Sequence, residues 1–210
     1  MPEALIWGAS GGIGGALLTR LNGEGWRVFG AARDESRIPS AADLTLHFEA
    51  SSLYSFKEAA LRVAYESSGL DLVVYAAGSM AAGTVEQIGE GDWMAVMDAN
   101  LTGAVRAAQV SLPLLKEGGH MMFIGAYVEK ISLPKFAAYA AAKAGLEPLV
   151  TVLSKEHRKH RFTLVRPGAV DTPFWRNVPF SLPKNAVQPQ VVAEAVVARY
   201  KEDSSGMLDL

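Results

Sequence analysis

The sequence predicts an α/β fold, a single doubly wound domain with helices on both faces of a mostly parallel, seven-stranded sheet. Three observations carry that prediction. Short apolar runs of strand length recur along the 210 residues, stretches of helix length and composition separate them, and a glycine-rich turn follows the first run directly. Near-continuous apolar strands indicate a parallel sheet covered on both faces. Half of the residues are hydrophobic, enough for one compact domain with a substantial core.

The strand candidates, in order, are residues 4–7, 27–32, 46–48, 70–77, 120–126, 162–168 and 206–210. Between them the composition predicts helices over residues 13–22, 54–68, 92–116, 136–158 and 189–201. Asn22-Gly23 suits a helix C-terminus, and Asp92 suits an N-cap. Pro148 falls inside the fourth helix and lacks the N–H that would reach residue 144, so a bend or local opening is expected just after Lys143. The segment from Phe174 to Gln188 reads as a short lid. No repeat or low-complexity linker breaks the pattern.

Composition removes several function classes. The formal net charge is −2 and the basic residues are dispersed, leaving no electrostatic footprint for nucleic acid or an anionic membrane. With no cysteine, disulfides, thiolate zinc sites and thiol catalysis are excluded. The N-terminus MPEALIWGAS reads as a strand rather than a basic leader, and no apolar run approaches the roughly 20 residues of a membrane span. A cytoplasmic location is expected. His157 and His160 stand at helical spacing in KEHRKHR but have no carboxylate cluster beside them, so no metal is expected.

The turn GASGGIGG sets Gly8, Gly12 and Gly14 at the spacing G-x-x-x-G-x-G, between the first strand and the first helix. A tight turn requires glycine, a pyrophosphate requires close approach to backbone N–H groups, and a helix N-terminus adds partial positive charge. Steric demand alone also collects glycine in turns. A phosphate loop would need Lys and Ser or Thr after its last glycine, where this chain has Gly15-Ala16.

At the end of the second strand an acidic residue selects NAD and a basic one accommodates a 2′-phosphate. Here stand Ala32-Arg33, which favours NADP(H). A solvated loop with Asp34 and Glu35 is the other reading of Arg33. Ser10 offers a hydroxyl to the same phosphate. Glu49, after the third strand, is a candidate acceptor for the adenine amino group or simply an exposed strand-end acid. Tyr139 and Lys143 are four apart in FAAYAAAKAGL, on one helix face.

Taken together, GASGGIG at 8–14, AAG at 76–78, DANLTG at 98–103, YAAAK at 139–143 and RPGAVDTPF at 166–174 resemble the short-chain dehydrogenase/reductase family nearly end to end. The resemblance implies a Rossmann fold with Tyr139 as proton donor or acceptor, Lys143 holding the nicotinamide ribose and lowering the phenol's pKa, and Asn100 continuing a proton relay through water. It also implies cofactor contacts from Gly8, Ser10, Gly12, Ile13 and Gly14, from Ala76, Ala77 and Gly78, and from Pro167, Gly168 and Thr172. A phenol of pKa about 10 is a poor base near neutrality, so this chemistry needs an adjacent cation. Family members often pair through the helices of the tyrosine and DANLTG motifs, which implies a homodimer or homotetramer.

Three departures narrow the expectation. The serine that usually precedes the tyrosine by thirteen residues is Ala126. Losing one positioned donor costs on the order of 3 kcal/mol where it would polarise a developing oxyanion. Tyr127 or Ser132 would substitute only if the following loop folded inward. The dihydropteridine reductase branch of the family also lacks this serine, and its strand is similar to FIGA here, which points to a small carbonyl or quinonoid substrate. The asparagine usual before the AG dipeptide is also missing, leaving Tyr75-Ala76-Ala77-Gly78. The lid is short, and Phe174 and Trp175, with Val178 and Phe180, either cover a flat substrate or pack the lid onto the body. A non-catalytic NADP(H) sensor is the alternative function. A nucleotide-sugar lyase or epimerase would need a larger C-terminal domain.

Overall fold

The computed structural model describes residues 1–210. Seven strands, β1 (Glu3–Trp7), β2 (Arg27–Ala32), β3 (Leu44–His47), β4 (Leu70–Tyr75), β5 (Leu115–Ile124), β6 (Arg161–Arg166) and β7 (Gly206–Asp209), form one sheet in the order β3-β2-β1-β4-β5-β6-β7. Every neighbouring pair is parallel, so the sheet is more regular than expected. Strand order reverses between β1 and β4, and ligands of such sheets bind outside the strand ends at that switch point.

Eight helices flank the sheet: α1 (Gly12–Gly23), α2 (Leu53–Glu66), α3 (Glu90–Met97), α4 (Gly103–Ser111), α5 (Val128–Ile131), α6 (Ala137–Ala144), α7 (Leu146–Glu156) and α8 (Pro189–Lys201). Alternate strand residues point to opposite faces and build two cores. Leu5, Trp7, Phe29 and Phe123 pack with Phe56 of α2, Ala107 of α4 and Val150 of α7. Ala4, Ile6, Val28 and Met122 pack with Leu17 and Leu21 of α1 and Val192 and Val196 of α8. No helix is long and apolar enough to cross a membrane.

The expected helix over 92–116 is divided. Its N-cap is Gly89 rather than Asp92, which lies in the first turn where its charge complements the helix dipole. A π-helical turn, Asp98–Thr102, separates α3 from α4, and a 3₁₀ turn at Leu112–Leu114 contains Pro113. Proline has no N–H to extend the ladder, and β5 begins at Leu115, five residues earlier than the apolar run suggested. The first helix does end at Gly23, but the left-handed residue of its exit is Gly25, at φ 81°.

The expected helix over 136–158 opens at Gly145, dividing α6 from α7. Pro148 leaves the Ala144 carbonyl without its helical partner, and the Leu149 N–H reaches Gly145 only at 3.4 Å. A β-carbon on Gly145 would stand 2.7 Å from Leu101 Cδ2, so glycine also permits the crossing with the Asp98–Thr102 turn. The remaining predicted limits differ from the structure by up to two residues. The short α5 had no sequence signal.

Candidate functional site

A cavity of about 590 Å³ opens at the carboxyl ends of β1, β4, β5 and β6. Its first wall is backbone. Gly8 has φ 93°, and a β-carbon there would lie 2.5 Å from Ala77 N, so the turn after β1 and the end of β4 touch. A β-carbon on Gly14 would collide with the Gly8 carbonyl, and one on Gly12 would lie 2.5 Å from Thr172 Cγ2. Gly8 N–H and Ala9 N–H both donate to Ala31 O, at 2.8 and 3.0 Å, pinning the turn to β2. Helix α1 then starts with no side-chain cap and no acid in its first turn. Its leading N–H groups are left for an anion.

Ser10, Gly12 and Ile13 line the cavity along this wall, as do Ala76, Ala77 and Gly78 after β4. Gly8 and Gly14 do not reach it; they shape the turn that does. Arg33 lines the cavity too, as does Arg37, a second guanidinium that the motif did not reveal. Neither forms an ion pair within 4.0 Å. Glu49 is not among the residues that line the cavity. Its backbone N–H and C=O are both engaged by Ser55 Oγ, which fixes it in the connection between β3 and α2.

At the centre, α6 carries Tyr139 and Lys143 into the cavity. Lys143 Nζ donates to Ile124 O at 2.8 Å and lies 5.7 Å from the Tyr139 ring centre. Burial pushes the Tyr139 phenol well above its ordinary range, and burial lowers Lys143 to about 8. The π-helical turn presents Asn100, whose Nδ2 donates to Ser79 O at 2.8 Å and Val96 O at 2.9 Å. Asn100 Oδ1 is buried without a partner. A β-carbon on Gly78 would stand 2.9 Å from that oxygen and 3.8 Å from Lys143 Nζ, so these two groups converge where Gly78 leaves room.

The far wall is made of side chains. Ala126 ends the β5 side, bringing a methyl group where a hydroxyl was expected in relatives. Ser132 cannot substitute, since its Oγ donates to Val128 O and it lies outside the lining, whereas Tyr127 is inside. Pro167, Gly168 and Thr172 follow β6 along the cavity. Phe174 packs 5.3 Å from the Tyr139 ring, and Phe136 lies between Tyr139 at 6.2 Å and Phe180 at 5.6 Å. Trp175 both lines the cavity and anchors its segment, with Nε1 donating to Val170 O at 2.8 Å. A parallel bridge from Val170 to Val187 ties the two ends of this segment together. His157 and His160 lie outside the cavity.

Residues 2–180 match the family model described as short chain dehydrogenase. An uncharacterized oxidoreductase of Staphylococcus aureus strain USA300 is 29% identical over 213 residues, covering 92% of this chain and 88% of the relative. The alcohol dehydrogenase of the archaeon Thermococcus sibiricus, complexed with 5-hydroxy-NADP, superposes with a TM-score of 0.91 at 29% identity over 100% of this chain and 96% of that one. A short chain dehydrogenase of Burkholderia cenocepacia J2315 in complex with NADP shares the fold, with a TM-score of 0.90 at 22% identity and the same coverage.

Proposed function

Because the chain belongs to the short-chain dehydrogenase family, we propose that it is an NADP(H)-dependent oxidoreductase acting on a small carbonyl or quinonoid compound. The observation that carries this reading is the convergence of Lys143 and Asn100 on the space beside Gly78, with Tyr139 lining the same cavity, its ring centre 5.7 Å from Lys143 Nζ, at the switch point of the sheet.

The residues suit a nicotinamide dinucleotide. The glycine wall leaves no room for side chains, and the uncapped start of α1 suits the pyrophosphate. Arg33 and Arg37 suit a 2′-phosphate, with the Ser10 hydroxyl nearby on the same wall. Lys143 has one protein acceptor for its three donors, leaving two for ribose hydroxyls. Thr172 and Gly168 suit the carboxamide side. When bound, the cofactor supplies or removes a hydride equivalent.

The protein's own part is proton handling. Burial keeps Tyr139 protonated, the state required of an acid that delivers a proton to a reduced carbonyl oxygen. Lys143, fixed by Ile124 O, supplies positive charge beside the phenolate that is left. Asn100 Oδ1 is free to accept from a water that returns the proton. With Ala126 giving no hydrogen bond, the substrate must already be activated, which favours quinonoid or electron-poor carbonyl compounds over simple ketones.

Ala126 also favours a second reading, NADP(H) binding without turnover. Fluorescence titration with NADPH and NADH, then NADPH oxidation against ketones, quinones and quinonoid dihydropteridine, separates the two. Turnover lost in Tyr139→Phe supports the reductase. Tight NADPH binding with no turnover supports the sensor, and a preference for NADH overturns the reading of Arg33.

A further inference from the structure

The cavity's charge is one-sided. Arg33, Arg37, Lys130 and Lys143 all line it, and no aspartate or glutamate does. Three of these cations have work under the proposed function, two at the adenosine end and one beside Tyr139. Lys130 has none. It stands on α5, the single-turn helix that begins two residues after Ala126, on the side of the cavity away from the glycine wall.

Its charge meets an aromatic ring but no carboxylate. Lys130 makes no ion pair within 4.0 Å, and its Nζ rests 4.1 Å from the centre of the Tyr127 ring. Two acids lie in its vicinity, Glu129 on its own helix and Asp209 at the end of β7. Asp209 is held in a two-point pair by Arg166, with both bonds at 2.7 Å, so its oxygens are committed elsewhere. The same cavity carries an aromatic group at Tyr139, whose ring is flanked by Phe136 and Phe174.

Resting on the reading above, we infer that the substrate is a carbonyl compound with a flat apolar body and a carboxylate, the carboxylate being bound by Lys130. The aromatic wall supplies contact area for the body, and a cation without a carboxylate partner supplies the anchor. This assignment also bears on Ala126. A substrate fixed at its carboxylate by Lys130 is oriented by binding energy remote from the reacting carbonyl, which offsets part of the missing serine's positioning role.

A matched pair of substrates tests this on the full-length protein: benzoylformate and its neutral methyl ester, with NADPH, in the wild type, Lys130→Gln and Lys130→Arg. The ratio of kcat/KM for acid over ester should fall about tenfold in Lys130→Gln, through kcat as well as KM, and return in Lys130→Arg. Added salt should shrink the wild-type ratio. Alongside, benzoate should raise the melting temperature of the NADP-loaded wild type more than that of Lys130→Gln, with benzamide showing no such difference. An acid-to-ester ratio equal in wild type and Lys130→Gln overturns the inference while leaving the oxidoreductase reading intact. Benzoate stabilisation that depends on Lys130, with neither compound reduced, keeps the anion site and sinks the reductase. No reduction of either compound, together with no benzoate stabilisation that depends on Lys130, removes both.

Discussion

The two walls of the cavity are built on opposite principles. The wall over α1 is backbone brought so close that Gly8, Gly12 and Gly14 have no room for a β-carbon. The wall opposite is side chain, aromatic from Phe136 to Phe180 and carried by segments that pack rather than ladder. A backbone wall accepts one shape of ligand and tolerates no substitution. A side-chain wall can be rebuilt residue by residue, which locates substrate choice there. Tyr139, Lys143 and Asn100 sit on the seam.

Breaking the seam should have the largest effect. Tyr139→Phe keeps the ring and its packing against Phe174 but removes the proton, so kcat should fall by about 10²- to 10⁴-fold with NADPH affinity retained, as read by steady-state rates and fluorescence titration. On the backbone wall, Arg33→Ala should raise the NADPH dissociation constant by about ten- to a hundredfold and leave NADH nearly unaffected. On the side-chain wall the change should be a gain. Ala126→Ser restores a donor, and reduction of simple ketones should rise about tenfold, with a smaller rise for quinonoid substrates.

The remaining effect concerns pH and joins both walls. Lys143 is lowered to about 8 by burial, so its ammonium is present below that value and lost above it. Reduction rates should decline as pH rises through 8. Stability should move the other way. Between pH 8 and the unfolded value near about 10.4, the unfolded chain holds a proton that the folded one has released, so this residue's contribution rises with pH by about 1.4 kcal/mol per unit. Urea unfolding of wild type and Lys143→Met across that window checks the sign. A wild-type activity profile flat through pH 8 would detach Lys143 from catalysis.

At the acid end, His120 works in the same sense from inside the sheet. Its Nε2 meets Thr163 Oγ1 at 2.8 Å, and burial, with Arg161 and Arg199 nearby, lowers it to about 3. Below pH 6.5 the unfolded chain gains a proton that the native one refuses, and stability falls until about pH 3.

The same contrast explains what could be read in advance. Glycine spacing exposed the backbone wall because only glycine survives such contacts, and the position of the turn after an apolar strand assigned it a place in the sheet. Arg33 was legible from its position after β2. Its neighbour Arg37 was not, because nothing in ESR marks which way a 3₁₀ turn will aim its guanidinium. Glu49 was ambiguous for a related reason: a strand-end acid looks the same in sequence whether or not its carboxylate faces a ligand, and here its backbone is tied to Ser55. Phe174 and Phe180 were visible as lid residues, but Phe136 and Lys130 carried no signal that they line the same cavity.

By itself, then, the sequence determined the alternation of strand and helix, the parallel sheet, the glycine turn and the pairing of Tyr139 with Lys143, since each follows from local periodicity or backbone sterics. Tertiary structure alone decided where α3 yields to a π-helical turn that turns Asn100 inward, how Gly145 lets the opened helix behind Lys143 cross that turn, and which charges face the cavity. Those outcomes depend on contacts between residues far apart in the chain, whose distances no local pattern encodes.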